Sequence, residues 1–109
     1  MDEKTAGRVK EEVERIADDE EIELDQLVVF GSRVRDDFTE DSDVDLILVS
    51  RDFDGTNWYQ RPKQFYLKWD YEELPSPELL CYTPEEFNEK KERAGNIVRT
   101  AVKEGVKLA

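Results

Sequence analysis

The side chains available for chemistry in this sequence are oxygen ligands. It contains no histidine and a single cysteine, Cys81. Zinc sites built on histidine, and nucleophiles activated by an imidazole, are thereby excluded. Carboxylates remain, and two of them stand out by spacing. Asp43 and Asp45 flank Val44 and lead into the apolar run Leu46-Ile47-Leu48-Val49. Side chains alternate along a strand, so this pair is predicted on one face with Cα atoms roughly 6.6 Å apart, while Val44, Leu46 and Leu48 face a core. Such a pair can converge on one divalent ion, and an all-oxygen ligand set suits magnesium. Without a cation, the two like charges would raise one pKa. A second feature lies just upstream. Gly31-Ser32 ends another apolar run, Leu27 to Phe30. A strand that stops at Gly-Ser and turns into a helix leaves backbone amides pointing outward, which is an anion site. Gly31 allows close approach of a phosphate, and Ser32 adds a hydroxyl. A phosphate cradle next to a carboxylate pair is equipment for a triphosphate and its magnesium.

The elements that must hold these residues can be read in the same way. Val9, Val13 and Ile16 mark one face of an N-terminal helix. Leu27–Phe30 is a short strand. Residues 32–36 fit a short helix capped by Ser32. Asp43–Ser50 is the second strand, and residues 51–57 are a turn. Residues 58–74 carry Trp58, Phe65 and Trp69 at helical spacing, with Pro62 near the start. That stripe reads as core rather than as a platform for stacking bases. Residues 76–82 are a third strand, with Cys81 as a buried small hydrophobe. Thr83-Pro84-Glu85-Glu86 is a helix start: a cap, proline at the first position, then acids against the dipole. A final helical stretch carries Phe87, Ile97, Val98, Ala101 and Val102, interrupted at Gly95. The elements alternate in the order α-β-α-β-α-β-α. There is no repeat and no linker, so residues 1–109 read as one domain.

Composition narrows the partners. Two Trp, four Tyr and five Phe are too many aromatics for a disordered chain, even at 40% charged residues. Twenty-eight acids face 16 bases, a net charge of −12, and no basic block stands out. Nucleic acid is bound through lysine and arginine, so a direct nucleic-acid partner is not expected. No run reaches the length of a membrane span, and no basic region precedes an apolar stretch as in a signal peptide. One cysteine provides no disulfide framework, which fits a reducing cytoplasm.

The stretch GSRVRDDFTEDSDVDL, residues 31–46, resembles the Gly-Ser…Asp-x-Asp signature of the DNA polymerase β-like nucleotidyltransferase superfamily. More closely, it resembles the minimal nucleotidyltransferases of prokaryotes, the MntA-type antitoxin proteins. Gly31, Ser32, Arg35, Ser42, Asp43 and Asp45 match that pattern, and residues 78–91 resemble the family's third strand and following helix. Two positions depart from it: Asp36 stands where the pattern has glycine, and Glu78 where it has aspartate. The resemblance implies an α+β fold, a small mixed sheet flanked by helices, and transfer of a nucleoside monophosphate, AMP from ATP, to a hydroxyl, with release of pyrophosphate. It implies that Asp43, Asp45 and Glu78 hold two Mg²⁺ ions, with Glu78 also placed to take the acceptor proton. Gly31, Ser32, Arg35 and Ser42 would bind the nucleotide, with Arg33 a neighbouring alternative to Arg35. A chain of this length leaves no room for an acceptor domain, and small members pair with a helical HEPN-type toxin, so the expected acceptor is a partner protein. Two other readings stand beside it: a non-catalytic antitoxin that blocks its toxin by contact, and a nucleotidyltransferase acting on a small molecule.

Overall fold

The computed structural model describes residues 1–109. Helix α1 spans Glu3–Asp19, capped by Asp2, whose carboxylate accepts the Thr5 amide at 2.9 Å. Strand β1 is Gln26–Phe30, helix α2 is the single turn Ser32–Arg35, and β2 is Val44–Val49. A 3-10 turn at Arg51–Phe53 leads to α3, Lys63–Lys68. Strand β3 is Pro77–Tyr82, followed by α4 (Pro84–Lys91), α5 (Ile97–Glu104) and the two-residue strand β4 (Val106–Lys107). The sheet runs β3-β2-β1-β4. Strand β1 is antiparallel to β2 and β4, and β2 is parallel to β3. The predicted small mixed sheet flanked by helices is therefore what forms.

Both faces of the sheet are covered, unequally. On one face Val9, Val13 and Ile16 of α1, with Phe65 and Trp69, pack on Leu27, Val29, Val44, Leu46, Leu48 and Cys81. Glu12 also lies on this buried side of α1, held by Arg15 at 2.8 Å and by the Asp70 amide at 2.7 Å. On the other face Phe87, Val98 and Ala101 pack on Val28, Ile47, Val49 and Tyr82. Strand alternation assigns Asp45 to this second face with Ile47 and Val49, and Glu78 with Leu80 and Tyr82. Strand β2, apolar for the rest of its length, thus carries near its start a carboxylate that stays half-buried.

Three sequence expectations change here. Helix α3 is six residues, not the whole of 58–74. Trp58 lies outside it, 38% exposed, with its ring 5.0 Å from that of Tyr82. Of the aromatic stripe, only Phe65 and Trp69 enter the core, because the turns at 58–62 carry Trp58 to the opposite side of the sheet. Strand β4 has no counterpart in the sequence reading. The Thr83 cap and the break at Gly95 form as read. Thr83 accepts the Glu86 amide at 3.2 Å while Glu86 accepts the Thr83 amide at 2.8 Å, and Gly95 takes a φ of +78° between α4 and α5. Arg61, nearly buried, forks onto Glu86 at 2.6 and 3.3 Å and donates to the Cys81 carbonyl at 3.1 Å, tying the 58–62 turns to β3 and α4.

Candidate active site

Strand β1 stops at Gly31 because only glycine fits there. Its φ is +82° and its ψ −156°, a region closed to residues with a side chain. A Cβ at this position would lie 2.1 Å from Oδ2 of Asp45. Backbone and carboxylate are therefore in direct contact, the first joining of the two sequence features. Gly31, not Ser32, is the cap of α2, and its carbonyl accepts the Val34 and Arg35 amides at 3.1 and 3.2 Å. Ser32 becomes the first helical residue. The positive φ of Gly31 turns the chain before the serine, which removes the capping role expected for its side chain. The Ser32 and Arg33 amides then occupy the open end of the turn.

Register supplies the next contact. Asp45 lies opposite Phe30 in the antiparallel ladder and opposite Glu78 in the parallel one. Adjacent strands are roughly 4.8 Å apart, so Asp45 and Glu78 are neighbours although 33 residues separate them. Asp43 precedes the strand, which begins at Val44, and is exposed. Burial pushes the Asp45 carboxyl above the usual range, and the charges of Glu78 and Asp43 push the same way, against the pull of Arg35. No group of three or more acidic, cysteine or histidine side chains converges tightly enough to enclose a metal ion, so Asp43, Asp45 and Glu78 do not form a ready-made cage. The donor set still fits magnesium, which takes one or two carboxylates and completes its shell with water and substrate phosphates.

A carboxyl with a raised pKa has a defined stability signature. Its ionisation costs more in the fold than in the unfolded chain. The penalty is absent below the ordinary aspartate pKa, grows as pH rises through the window up to the raised value, and is complete above it. Asp45→Asn is therefore expected to stabilise the metal-free protein at neutral pH, with the gain shrinking as pH falls below that window. Denaturant melts at several pH values in chelator check this. A loss of stability at neutral pH would show that the charged carboxylate holds the fold together.

The two arginines of the motif part company. Arg33 is buried and donates to the Ser42 carbonyl at 2.8 and 3.2 Å and to the Glu40 carbonyl at 3.4 Å, with its guanidinium 4.6 Å from the centre of the Phe38 ring. It clamps the loop that carries Asp43 and is not free for a ligand. Arg35 is exposed, reaches Asp37 at 3.4 Å and lines the cleft beside Gly31. Ser42 is engaged within its own loop: its hydroxyl accepts the Thr39 amide at 3.0 Å. Asp36 takes the left-handed conformation, φ 62°, that the glycine of the family pattern would hold, and its carboxylate pairs with the Met1 amine at 3.1 Å, away from the cleft.

The cleft itself holds about 310 Å³. Gly31, Ser32, Val34 and Arg35 form one wall and Phe30 and Asp45 the floor. The opposite wall is α5, with Ile97, Thr100, Ala101 and Glu104. The sequence reading missed this wall. The only signal was the i, i+3, i+4, i+7 spacing of those four residues, which also describes an ordinary helix face.

The description "Nucleotidyltransferase domain" belongs to the family model that matches residues 7–108. Among solved structures, a crystal structure from Sulfolobus solfataricus, provisionally described as a nucleotidyltransferase, aligns with a TM-score of 0.63 at 21% identity. The alignment covers 95% of this chain and 78% of that one, and at this identity the likeness is one of fold. No curated protein matches the chain. With the family model spanning nearly every residue, and with Gly31-Ser32 set against Asp45 in one cleft, the chain belongs to the nucleotidyltransferase domain family.

Proposed function

We propose that this protein transfers a nucleoside monophosphate, AMP from ATP, to a hydroxyl on a partner protein, and that the partner is a HEPN-type toxin for which it serves as antitoxin. The observation that carries the chemistry is the contact of Gly31 with Asp45, which puts the Gly31-Ser32 turn and one of the three carboxylates in one cleft. Ser32, the first amides of α2 and the Arg35 guanidinium would take the β- and γ-phosphates. Asp43, Asp45 and Glu78 would hold Mg²⁺. That ion, when bound, neutralises phosphate charge and makes the acceptor hydroxyl more acidic. The acceptor oxygen bonds to the α-phosphorus, the bond from that phosphorus to the bridging oxygen breaks, and pyrophosphate leaves. The hydroxyl proton passes to Glu78, which is exposed at the edge of the sheet and open to an incoming acceptor. Glu78 has a proton-accepting carboxylate in the position next to Asp45. A net charge of −12 disfavours a nucleic-acid acceptor.

The test is co-expression with the neighbouring gene product, then incubation with labelled ATP and Mg²⁺ and intact-mass analysis. The expected result is one or more added AMP groups on the partner, absent with the Asp43→Asn, Asp45→Asn double variant. A partner that is bound and silenced without acquiring AMP would overturn transfer and establish inhibition by contact. AMP on a small-molecule hydroxyl alone would overturn the protein acceptor.

A further inference from the structure

The wall of the cleft formed by α5 has a composition of its own. Val98 and Ala101 bury one side of α5 against the sheet, and the helix end is pinned. A Cβ on Gly105 would lie 2.4 Å from the Ala101 carbonyl oxygen and 2.6 Å from that of Val29, so helix and strand are already at closest approach. This wall is therefore packed closely on the sheet, most tightly at its C-terminal end, and a recognition surface is best built on such an element. Facing the cleft on it are Ile97, 54% exposed, then Thr100 and Glu104, both exposed. Glu104 takes part in none of the ion pairs of the molecule. The positive charge of the cleft is on the opposite wall, at Arg35.

That separation of charge sorts the parts of a nucleotide. A carboxylate accepts hydrogen bonds and donates none, so Glu104 repels phosphate and favours a group rich in donors. The phosphates belong at Ser32 and Arg35. The donors that every ribonucleotide carries beyond its phosphates are the ribose hydroxyls. Ile97 offers an apolar surface about two helical turns, ~10 Å, from Glu104 along the helix. We propose that α5 is the nucleoside-binding wall of the cleft, with Glu104 accepting hydrogen bonds from the ribose hydroxyls and Ile97 packing against the face of the base. This rests on the nucleotidyltransferase reading above and assigns to α5 the choice of a ribonucleotide.

Calorimetry with Mg²⁺ and three ligands tests it: ATP, 2′,3′-dideoxy-ATP and inorganic tripolyphosphate. The parent should bind ATP on the order of 10-fold more tightly than the dideoxy analogue, the scale of a hydrogen bond to a charged group. In Glu104→Ala, ATP affinity should fall to the level of the dideoxy analogue, while tripolyphosphate binds as well as before or better. This opposite sign separates recognition from a general charge effect, since removing a negative charge strengthens polyanion binding. Ile97→Ser should weaken both nucleotides several-fold and leave tripolyphosphate unchanged. Both side chains are exposed, so the variants should fold, and unchanged melts would confirm it. If Glu104→Ala keeps the parent's preference for ATP over the dideoxy analogue, the assignment of α5 is overturned while the nucleotidyltransferase reading stands. If the parent binds neither ATP nor tripolyphosphate, that reading falls with it.

Discussion

Replacing Gly31 with alanine is expected to destabilise the protein by roughly 2–4 kcal/mol and to abolish nucleotide binding. Two penalties act at once. The backbone at φ +82°, ψ −156° excludes a Cβ on local grounds, at about 1–3 kcal/mol. The new methyl would also stand 2.1 Å from Oδ2 of Asp45 and 3.0 Å from its Cγ, so the carboxylate must swing away or the strand end must move. Either response takes the Gly31 turn and the carboxylate apart. A double-mutant cycle separates the two penalties. In an Asp45→Ala background the clash partner is gone, since only the Asp45 Cβ, at 3.4 Å, remains near. The Gly31→Ala penalty should then fall by about 1 kcal/mol or more, leaving the backbone term. Urea melts of the four proteins measure this. Equal penalties in both backgrounds would mean that Gly31 is required by its backbone alone and that its contact with Asp45 carries no energy.

Glu78→Gln is expected to reduce nucleotidyl transfer on the order of 10²-fold or more, the scale for loss of a positioned proton acceptor. The substitution keeps size and hydrogen-bonding shape and removes only the charge and the basicity. Glu78 is exposed, so stability should be nearly unchanged, which isolates the chemical effect. Glu78→Asp is the informative companion. It shortens the side chain by one methylene and restores the aspartate of the family pattern. Transfer should be retained or raised, because the carboxylate keeps its place opposite Asp45 in the parallel ladder. Single-turnover transfer from labelled ATP measures all three proteins. If the glutamine variant transfers as fast as the parent, another group takes the proton and the role given to Glu78 is wrong.

Much of the frame was legible because its causes are local. Val9, Val13 and Ile16 predict their helix by periodicity, and all three are fully buried in it. Thr83-Pro84-Glu85-Glu86 predicts a helix start through groups within one turn of each other, and the reciprocal bonds form. Other features depend on distant partners. Val106-Lys107 is a strand only because β1 offers Val28 and Val29 to pair with, and two residues carry no strand signal of their own. Trp58 has helical spacing to Phe65, yet it rests on Tyr82, because the turn before α3 leads it away.

The same division runs through the candidate site. Sequence alone determined which chemistry was available: no histidine, a Gly-Ser turn after one strand and an Asp-x-Asp at the head of the next. It also placed Asp45 on one face of its strand, because alternation is a property of a single extended chain. Only the tertiary structure decided what that face meets. Gly31 meets the Asp45 carboxylate, Glu78 stands beside it by register, Arg33 is spent on the Asp43 loop while Arg35 lines the cleft with only an exposed pairing to Asp37, and α5 closes the cleft. Each of these depends on how strands pair and where helices stop, and those are set by packing energies summed over the whole core rather than by any residue's neighbours in the chain.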